Sequence, residues 1–431
     1  MPPSSPPDRL QRPPPASPRP APPKPAHSLA ADVAAAASVA LKARGPLLVG
    51  VSGGGDSLAL LHLLGAVAPD RPRIAAIVDH ALRSESAAEA REAADIARDL
   101  GAEPVVMRLQ WPRGEKRSQE AARNARHETL AALARERGAS VLYLGQTRDD
   151  QAETILMRRL AGSHALGLAG MAALSPSPVW PEGRDLWIAR PMLDLSREAL
   201  RAHLRAEGIP WIEDPSNTSQ RYARVRARRE LQDTDATDDL VDAARAAGVV
   251  ATRSHRLARV AAAMFIRHDA GVASFHARLL SFEGGAVALA ALAVAVGART
   301  RDIPEEAAKG LLLRLGRDGH TALGGAHFVR AGETVTVSRD PGGVHGRRGG
   351  GRAHPSLDLA PGHPVVWDRR LELTAIEPGW SARPAADGRT TAPAFVRGGA
   401  EAMPGEAVAA RWLVESRMAR LLWRGGEPPF R

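Results

Sequence analysis

Two hydrophobic periods alternate along the first half of this chain. The apolar run Pro46-Leu47-Leu48-Val49-Gly50-Val51 predicts a short buried strand, and Leu58-Ala59-Leu60-Leu61-His62-Leu63-Leu64 predicts a packed helix after it. Further strands are predicted over 74–78, 103–109 and 140–144, with helices over 84–100 and 118–137 stopped by Gly101 and Gly138. Repeated strand–helix units imply an α/β fold, with a parallel sheet covered on both faces and ligands at the carboxyl ends of its strands. The polar motifs fall just after such ends: residues 52–57, Asp79-His80 and residues 146–150. That convergence predicts one shared site.

The pattern then changes. Residues 175–185, rich in Pro and Gly, predict a loop, and 193–207 a helix capped by Asp194 or Ser196 and stopped by Gly208. The acidic stretch 233–242 marks a boundary, 239–317 reads as a helical domain, and 320–431 as a small α/β region. In that last region short strands (327–329, 334–337, 364–367, 371–374) lie between Gly-rich loops. Residues 286–296 are wholly apolar but too short to span a bilayer, so they predict a buried helix. The first 28 residues hold twelve prolines and a single large aliphatic side chain, Leu10, and cannot bury a core. A disordered tail is therefore expected over 1–29, ahead of a Rossmann-like domain over 30–232.

Composition narrows the chemistry. The 431 residues contain no cysteine, which excludes disulfides, thiolate metal sites, Fe–S clusters and thiol nucleophiles. Lys and Arg outnumber Asp and Glu by 58 to 48, and the net charge of +10 favours a polyanionic partner such as nucleic acid. No stretch of eighteen uninterrupted apolar residues occurs, so no membrane partner is expected and the chain is expected to be soluble and cytoplasmic.

Ser52-Gly53-Gly54-Gly55-Asp56-Ser57 carries the sharpest signal. Strand, glycine turn and helix start is how α/β proteins hold phosphates, because backbone amides approach the anion unobstructed and the helix adds free N–H groups and a positive dipole end. A carboxylate there would repel a phosphate unless a divalent cation lay between them, so Asp56 points to a Mg²⁺-nucleotide. The bland alternative is a glycine turn with a capping Asp. No Gly-Lys-Ser or Gly-Lys-Thr occurs, so the loop is not of the Walker A type.

The other motifs carry paired readings. In Asp79-His80-Ala81-Leu82-Arg83, Arg83 faces a phosphate, or the segment is a capped turn with a core His. In Gln146-Thr147-Arg148-Asp149-Asp150, one acid caps a helix and Asp150, set opposite Asp56, completes a Mg²⁺ site, or the acids merely complement the helix dipole. Arg123 and Arg126 share a helix face and bind phosphate or solvate the helix. The polar turn from Asp214 leads into five arginines within residues 221–229, around Tyr222. That composition suits phosphates and a stacked base, or makes a solvated Arg-rich helix.

Taken in order, these motifs closely resemble the tRNA(Ile)-lysidine synthases of the PP-loop, or N-type ATP pyrophosphatase, superfamily. The residues are 52–57, Val78-Asp79-His80-Ala81-Leu82-Arg83, Ala122-Arg123, Asp149-Asp150-Gln151-Ala152-Glu153-Thr154, Gly167-Leu168-Ala169-Gly170-Met171 and Arg190-Pro191-Met192-Leu193. Trp211-Ile212-Glu213-Asp214-Pro215-Ser216-Asn217, leading to Tyr222 and Arg224, completes the set. The resemblance covers about 46–229 and is loose beyond. It implies ATP binding by Ser52, Gly53, Gly54, Gly55, Asp56 and Ser57, Mg²⁺ on Asp56 and Asp150, and catalysis by Asp56, Asp150 and Arg123. It also implies tRNA(Ile) with a CAU anticodon and free L-lysine as partners, with Arg83, Asp214, Asn217, Tyr222 and Arg224 on the RNA side. Lysine would be joined to the wobble cytidine through an adenylated tRNA, with release of pyrophosphate and AMP.

Two departures stand out. The family usually has His at Gln146, and Gln cannot carry a positive charge or shuttle a proton; it usually has Tyr at His127. The alternative functions are another PP-loop tRNA base-modifying enzyme or a catalytically weakened tRNA-binding homologue. A self-contained thiolase would need cysteine, and the Asp56/Asp150 pair argues against a vestigial site.

Overall fold

The computed structural model describes residues 26–81, 85–111, 119–163, 167–213, 223–234, 236–347 and 352–425. Helix α1 (Ala26–Ala37) begins inside the stretch expected to be disordered. After Pro25 the sequence turns Ala-rich, which favours helix, and Leu29 and Val33 are fully buried. Residues 1–25, the rest of the expected tail, lie outside the described residues.

The first layered unit runs through β1 (Leu47–Val51), α2 (Gly55–Val67), β2 (Arg73–Asp79), α3 (Ser86–Asp99), β3 (Glu103–Arg108), α4 (Gln119–Glu136), β4 (Val141–Leu144), α5 (Arg148–Leu160), β5 (Leu174–Pro176), β6 (Trp187–Ala189) and α6 (Arg197–Ala206). Its sheet has the order β3-β2-β1-β4-β6-β5, parallel except for β5, which runs antiparallel to β6. The four expected strands all form. Strand β5 takes in the start of the loop expected over 175–185 and β6 follows that loop; each is three residues, too short to show a period.

Both faces of the sheet are covered. On β1, Leu47, Val49 and Val51 enter one hydrophobic cluster and Leu48 enters another on the opposite face, as the two-residue strand period requires. Chain connections leave in opposite directions from β1 and β4, which opens a crevice at their carboxyl ends.

Helices α7 (Ala223–Thr234) and α8 (Thr237–Phe265) follow, then β7 (Ile266–Asp269), β8 (Val272–His276), α9 (Gly285–Val296), α10 (Glu305–Asp318), β9 (His320–Leu323), β10 (Ala326–Ala331) and β11 (Thr334–Arg339). The region read as helical over 239–317 therefore contains a hairpin, β7–β8, and β8 pairs with β11 beyond the expected boundary. The resulting sheet, β7-β8-β11-β10-β9, packs with α9, whose apolar residues are buried almost all round as expected. Two smaller antiparallel sheets follow, and the helix Val414–Leu422 returns to pack on α8 and α9.

Candidate active site

Strand β1 delivers the chain into Ser52, and Gly53 turns it with a left-handed φ of 84°. A Cβ at Gly53 would lie 2.7 Å from Ile212 Cδ1, so only glycine fits the turn. Two serines tie the loop. Ser57 Oγ donates to the Gly54 carbonyl at 2.9 Å, accepts from Ser52 N at 3.1 Å and lies 3.3 Å from Ser52 Oγ. Gly54 is the N-cap of α2 and has no side chain to occupy the first N–H groups, so the dipole end of the helix faces the crevice. Strand β4 ends against the same turn: a Cβ on Gly145 would lie 2.7 Å from the Asp56 carbonyl oxygen.

Thr147 is the N-cap of α5, and of the two acids after β4 Asp150 completes a reciprocal capping box with it. Thr147 accepts from Asp150 N, while Asp150 Oδ2 accepts from Thr147 N at 2.8 Å and Oγ1 at 3.1 Å. Asp149 accepts from Arg197 N at 2.8 Å, at the first turn of α6. Ser196, rather than Asp194, is the N-cap of that helix.

The site then gathers around a residue that the sequence reading missed. Arg197 Nε lies 3.1 Å from Asp56 Oδ2, Nη2 3.0 Å from Asp150 Oδ1 and Nη1 3.7 Å from Glu153 Oε1. Glu153, with a side chain only 1% exposed, also accepts from Arg228 Nε at 2.7 Å. Arg197 opens α6, where a cation opposes the helix dipole. A misplaced cation at a helix start is the signal that could have marked it. Burial would lower the Arg197 pKa, but Asp150, Asp56, Asp149 and Glu153 together hold it above its ordinary value. Burial raises the Asp56 pKa, Arg197 opposes that, and the neighbouring Asp150 charge raises it further.

Two carboxylates meeting on one cation at the mouth of a phosphate loop form a hard-oxygen donor pair that suits Mg²⁺, which takes its other oxygens from phosphate and water. Among the described residues no cluster of three or more His, Asp or Glu forms a fuller metal site.

Positive charge collects beside this acidic group. Arg190 donates from Nε to Gln146 Oε1 at 2.5 Å and from Nη1 to Ala172 O at 3.0 Å and Ser175 Oγ at 2.9 Å. Arg158 Nη1 donates to the Gly167 and Gly170 carbonyls, both at 2.9 Å, and Gln151 brackets Met171 through two hydrogen bonds. Burial, then Arg123 and Arg158, lower the Arg190 pKa to about 10. Burial and Arg123 also lower Arg126 and Arg158. Arg123 itself is exposed on α4, so it adds an accessible charge to a field already strongly positive.

Asp79 takes the capped-turn reading: it accepts from Ala81 N at 2.8 Å, and Ala81 is left-handed at φ 50°. Burial would raise Asp79, but the Ser86 hydroxyl, the Ala81 amide and Arg108 hold it below the usual value. Arg83, Asp214, Asn217 and Tyr222 lie outside the described residues, and Arg224 lies on α7 with its side chain outside them.

His127 is buried with Nδ1 unpartnered among the described residues. Burial, then Arg123, Arg126 and Arg190, depress its pKa to about 3. Because the unfolded imidazole titrates near 6.5, the folded state is fully favoured above that pH and loses stability as pH falls from 6.5 toward 3. At pH 5 the expected loss from this group is about 2 kcal/mol. Denaturant midpoints at pH 7.5 and 5 should therefore diverge less for His127→Phe than for the parent; equal divergence would remove His127 as the cause.

The pattern of the PP-loop domain matches residues 27–234. A tRNA(Ile)-lysidine synthase from Caulobacter vibrioides is 40% identical over 337 residues, covering 77% of this chain and 74% of that protein. One from Methylobacterium nodulans is 37% identical over 318 residues, covering 69% of this chain and 91% of that protein. The chain belongs to the tRNA(Ile)-lysidine synthase family. A third such protein, from Hyphomonas neptunium, is 50% identical over 188 residues, covering 43% of this chain and 50% of that protein. The longer alignments exceed the PP-loop span, so the lysidine synthase likeness continues past residue 234.

As a PP-loop lysidine synthase relative the chain uses ATP, and the loop 52–57 sits where a phosphate chain can reach it. The structure brings Asp56 and Asp150 together as expected and adds Arg197 and Glu153 to them. At the family's usual His position, Gln146 is held by Arg190, so a permanent cation backs the amide that replaces the imidazole.

Proposed function

We propose that this chain joins lysine to the wobble cytidine of a CAU-anticodon tRNA(Ile), through a tRNA adenylate. The observation that carries the ATP chemistry is the meeting of Asp56 and Asp150 on one cation beside the Ser52–Ser57 turn. The acceptor rests on the relatives named tRNA(Ile)-lysidine synthase, which align over most of the chain.

In the first step the cytidine O2 attacks the α-phosphorus of ATP, a P–O bond breaks and pyrophosphate leaves. Backbone amides of Gly53, Gly54 and Gly55, with the Ser52 and Ser57 hydroxyls, receive the charge gathering on the leaving group. Asp56 and Asp150 are the residues that would hold Mg²⁺, which when bound screens the phosphate oxygens from the two carboxylates. Arg123, exposed beside Arg158 and Arg190, neutralises the α-phosphate. In the second step the neutral ε-amine of free L-lysine attacks C2, AMP leaves, and a carboxylate of the site takes the amine's proton. Arg83, Asp214, Asn217, Tyr222 and Arg224 serve the RNA, and residues 30–232 form the catalytic domain. No helix among the described residues is long and apolar enough to cross a membrane.

Incubation with Mg-ATP, labelled lysine and total tRNA should place label in isoleucine tRNA as lysidine, identified as the nucleoside after digestion. ATP binding without any label in that tRNA would overturn the assignment.

A further inference from the structure

A second cavity lies at the other end of the parallel sheet. Its volume is about 590 Å³, within the usual range for small-molecule sites. Gly138 and Ser140 before β4 and Trp187 at the start of β6 form one wall, Arg259 of α8 a second, and Leu413 to Trp423 a third. Strand β4 separates it from the phosphate loop by on the order of 13 Å, at about 3.3 Å per residue. The cavity therefore belongs to neither the ATP loop nor the carboxylate group.

Its lining is unbalanced in charge. Five arginines (135, 184, 259, 411 and 420) border it. Glu372 is shared by Arg184 at 2.6 Å and Arg411 at 2.7 Å, and Asp185 lies 3.7 Å from Arg184. Arg135 and Arg420 spend hydrogen bonds on carbonyl oxygens instead: Glu182 at 2.6 Å for the first, Gly183 at 3.1 Å and Leu186 at 2.5 Å for the second. Burial lowers the pKa of Arg420 to about 10 against the opposing charge of Asp185, and burial, with a smaller contribution from Arg184, lowers Arg135. The rest of the wall is apolar and aromatic. Trp423 meets Trp187 edge-on at 4.7 Å, and the Arg420 guanidinium covers the Trp187 ring at 5.1 Å. A bare inorganic anion would satisfy the arginines and leave that wall wet.

We propose that this cavity binds an aromatic organophosphate of mononucleotide size, with its phosphate on the arginines and its ring against Trp423. Such a ligand touches the PP-loop unit, α8 and the C-terminal helix at once and so links the chain's two halves. The inference does not depend on the tRNA acceptor.

The test is calorimetric titration of the full-length protein with AMP, the PP-loop site being filled beforehand with α,β-methylene-ATP. One further AMP site is expected. Arg259→Glu should weaken it at least tenfold and Ala419→Trp, which fills the cavity mouth without changing charge, should abolish it. Both variants should keep the parent's melting temperature and its affinity for the ATP analogue. Absence of the second site, or AMP binding unchanged by both substitutions, would overturn the proposal. Inorganic phosphate binding as tightly as AMP would overturn recognition of the ring. A 5′-phosphorylated RNA oligonucleotide displacing AMP at lower concentration would assign the cavity to an RNA end and overturn a free nucleotide.

Discussion

An Asp56→Asn protein should fold, melt no lower than the parent, and lose ATP-dependent tRNA adenylation by about a thousandfold, or about 4 kcal/mol of barrier. The substitution keeps the shape of the side chain and removes only its charge. Asp56 pays twice for that charge in the folded state, through burial and through its neighbour Asp150, so its neutralisation does not cost stability. Activity is another matter, because one carboxylate of the pair that would hold Mg²⁺ is gone. Release of pyrophosphate measured beside a thermal melt separates the two effects. Retained pyrophosphate release would show that Asp56 is only a buried member of the Arg197 network.

Arg197→Met should have the largest effect on stability. It removes the cation that Asp56, Asp150 and Glu153 share, while Arg228 stays on Glu153. Breaking a buried ion group in this way costs about 3 kcal/mol. The sign of its pH dependence follows from Asp56. A carboxyl whose folded pKa is raised favours the folded state below its unfolded value and loses that contribution as pH rises through the folded value. Losing Arg197 raises Asp56 further, so the penalty should be largest at pH 8 and shrink on acidification. Urea midpoints of both proteins across pH 5 to 8 measure it. A penalty independent of pH would mean that the methionine disturbs packing rather than charge. Added Mg²⁺ should also raise the variant's midpoint more than the parent's, since the carboxylates have then lost the cation they share.

Much of the catalytic unit was legible in the sequence because its signals are local. The apolar runs of β1, β2 and β4 and the glycine turn each declare themselves within a few residues. Asp56 and Asp150 were paired correctly because each follows a strand end, and parallel strands put their carboxyl ends together. Arg197 was not legible. It lies 141 residues from Asp56 and 47 from Asp150, and it reads as an ordinary charge on an amphipathic helix. Only its position at the first turn, opposed to the dipole, hinted at outside carboxylates. The capping was read only in part for a related reason: Thr147, Asp149 and Asp150 lie within one helical turn, and backbone geometry decides which oxygen meets which amide. The β7–β8 hairpin escaped notice because its strands, of four and five residues, are bounded by helices on both sides.

The sequence by itself determined the phosphate turn, the parallel sheet and the family. The turn and the sheet rest on hydrophobic period and glycine placement, which act over single turns and strands, and the family rests on the resemblance of the ordered motifs. Only the tertiary structure decided what neutralises Asp56 and Asp150, how Arg190 backs Gln146, and that the C-terminal helix closes a basic cavity behind the sheet. Those features depend on side chains brought together from distant segments, and electrostatic balance in a buried site is set by distance in space rather than along the chain.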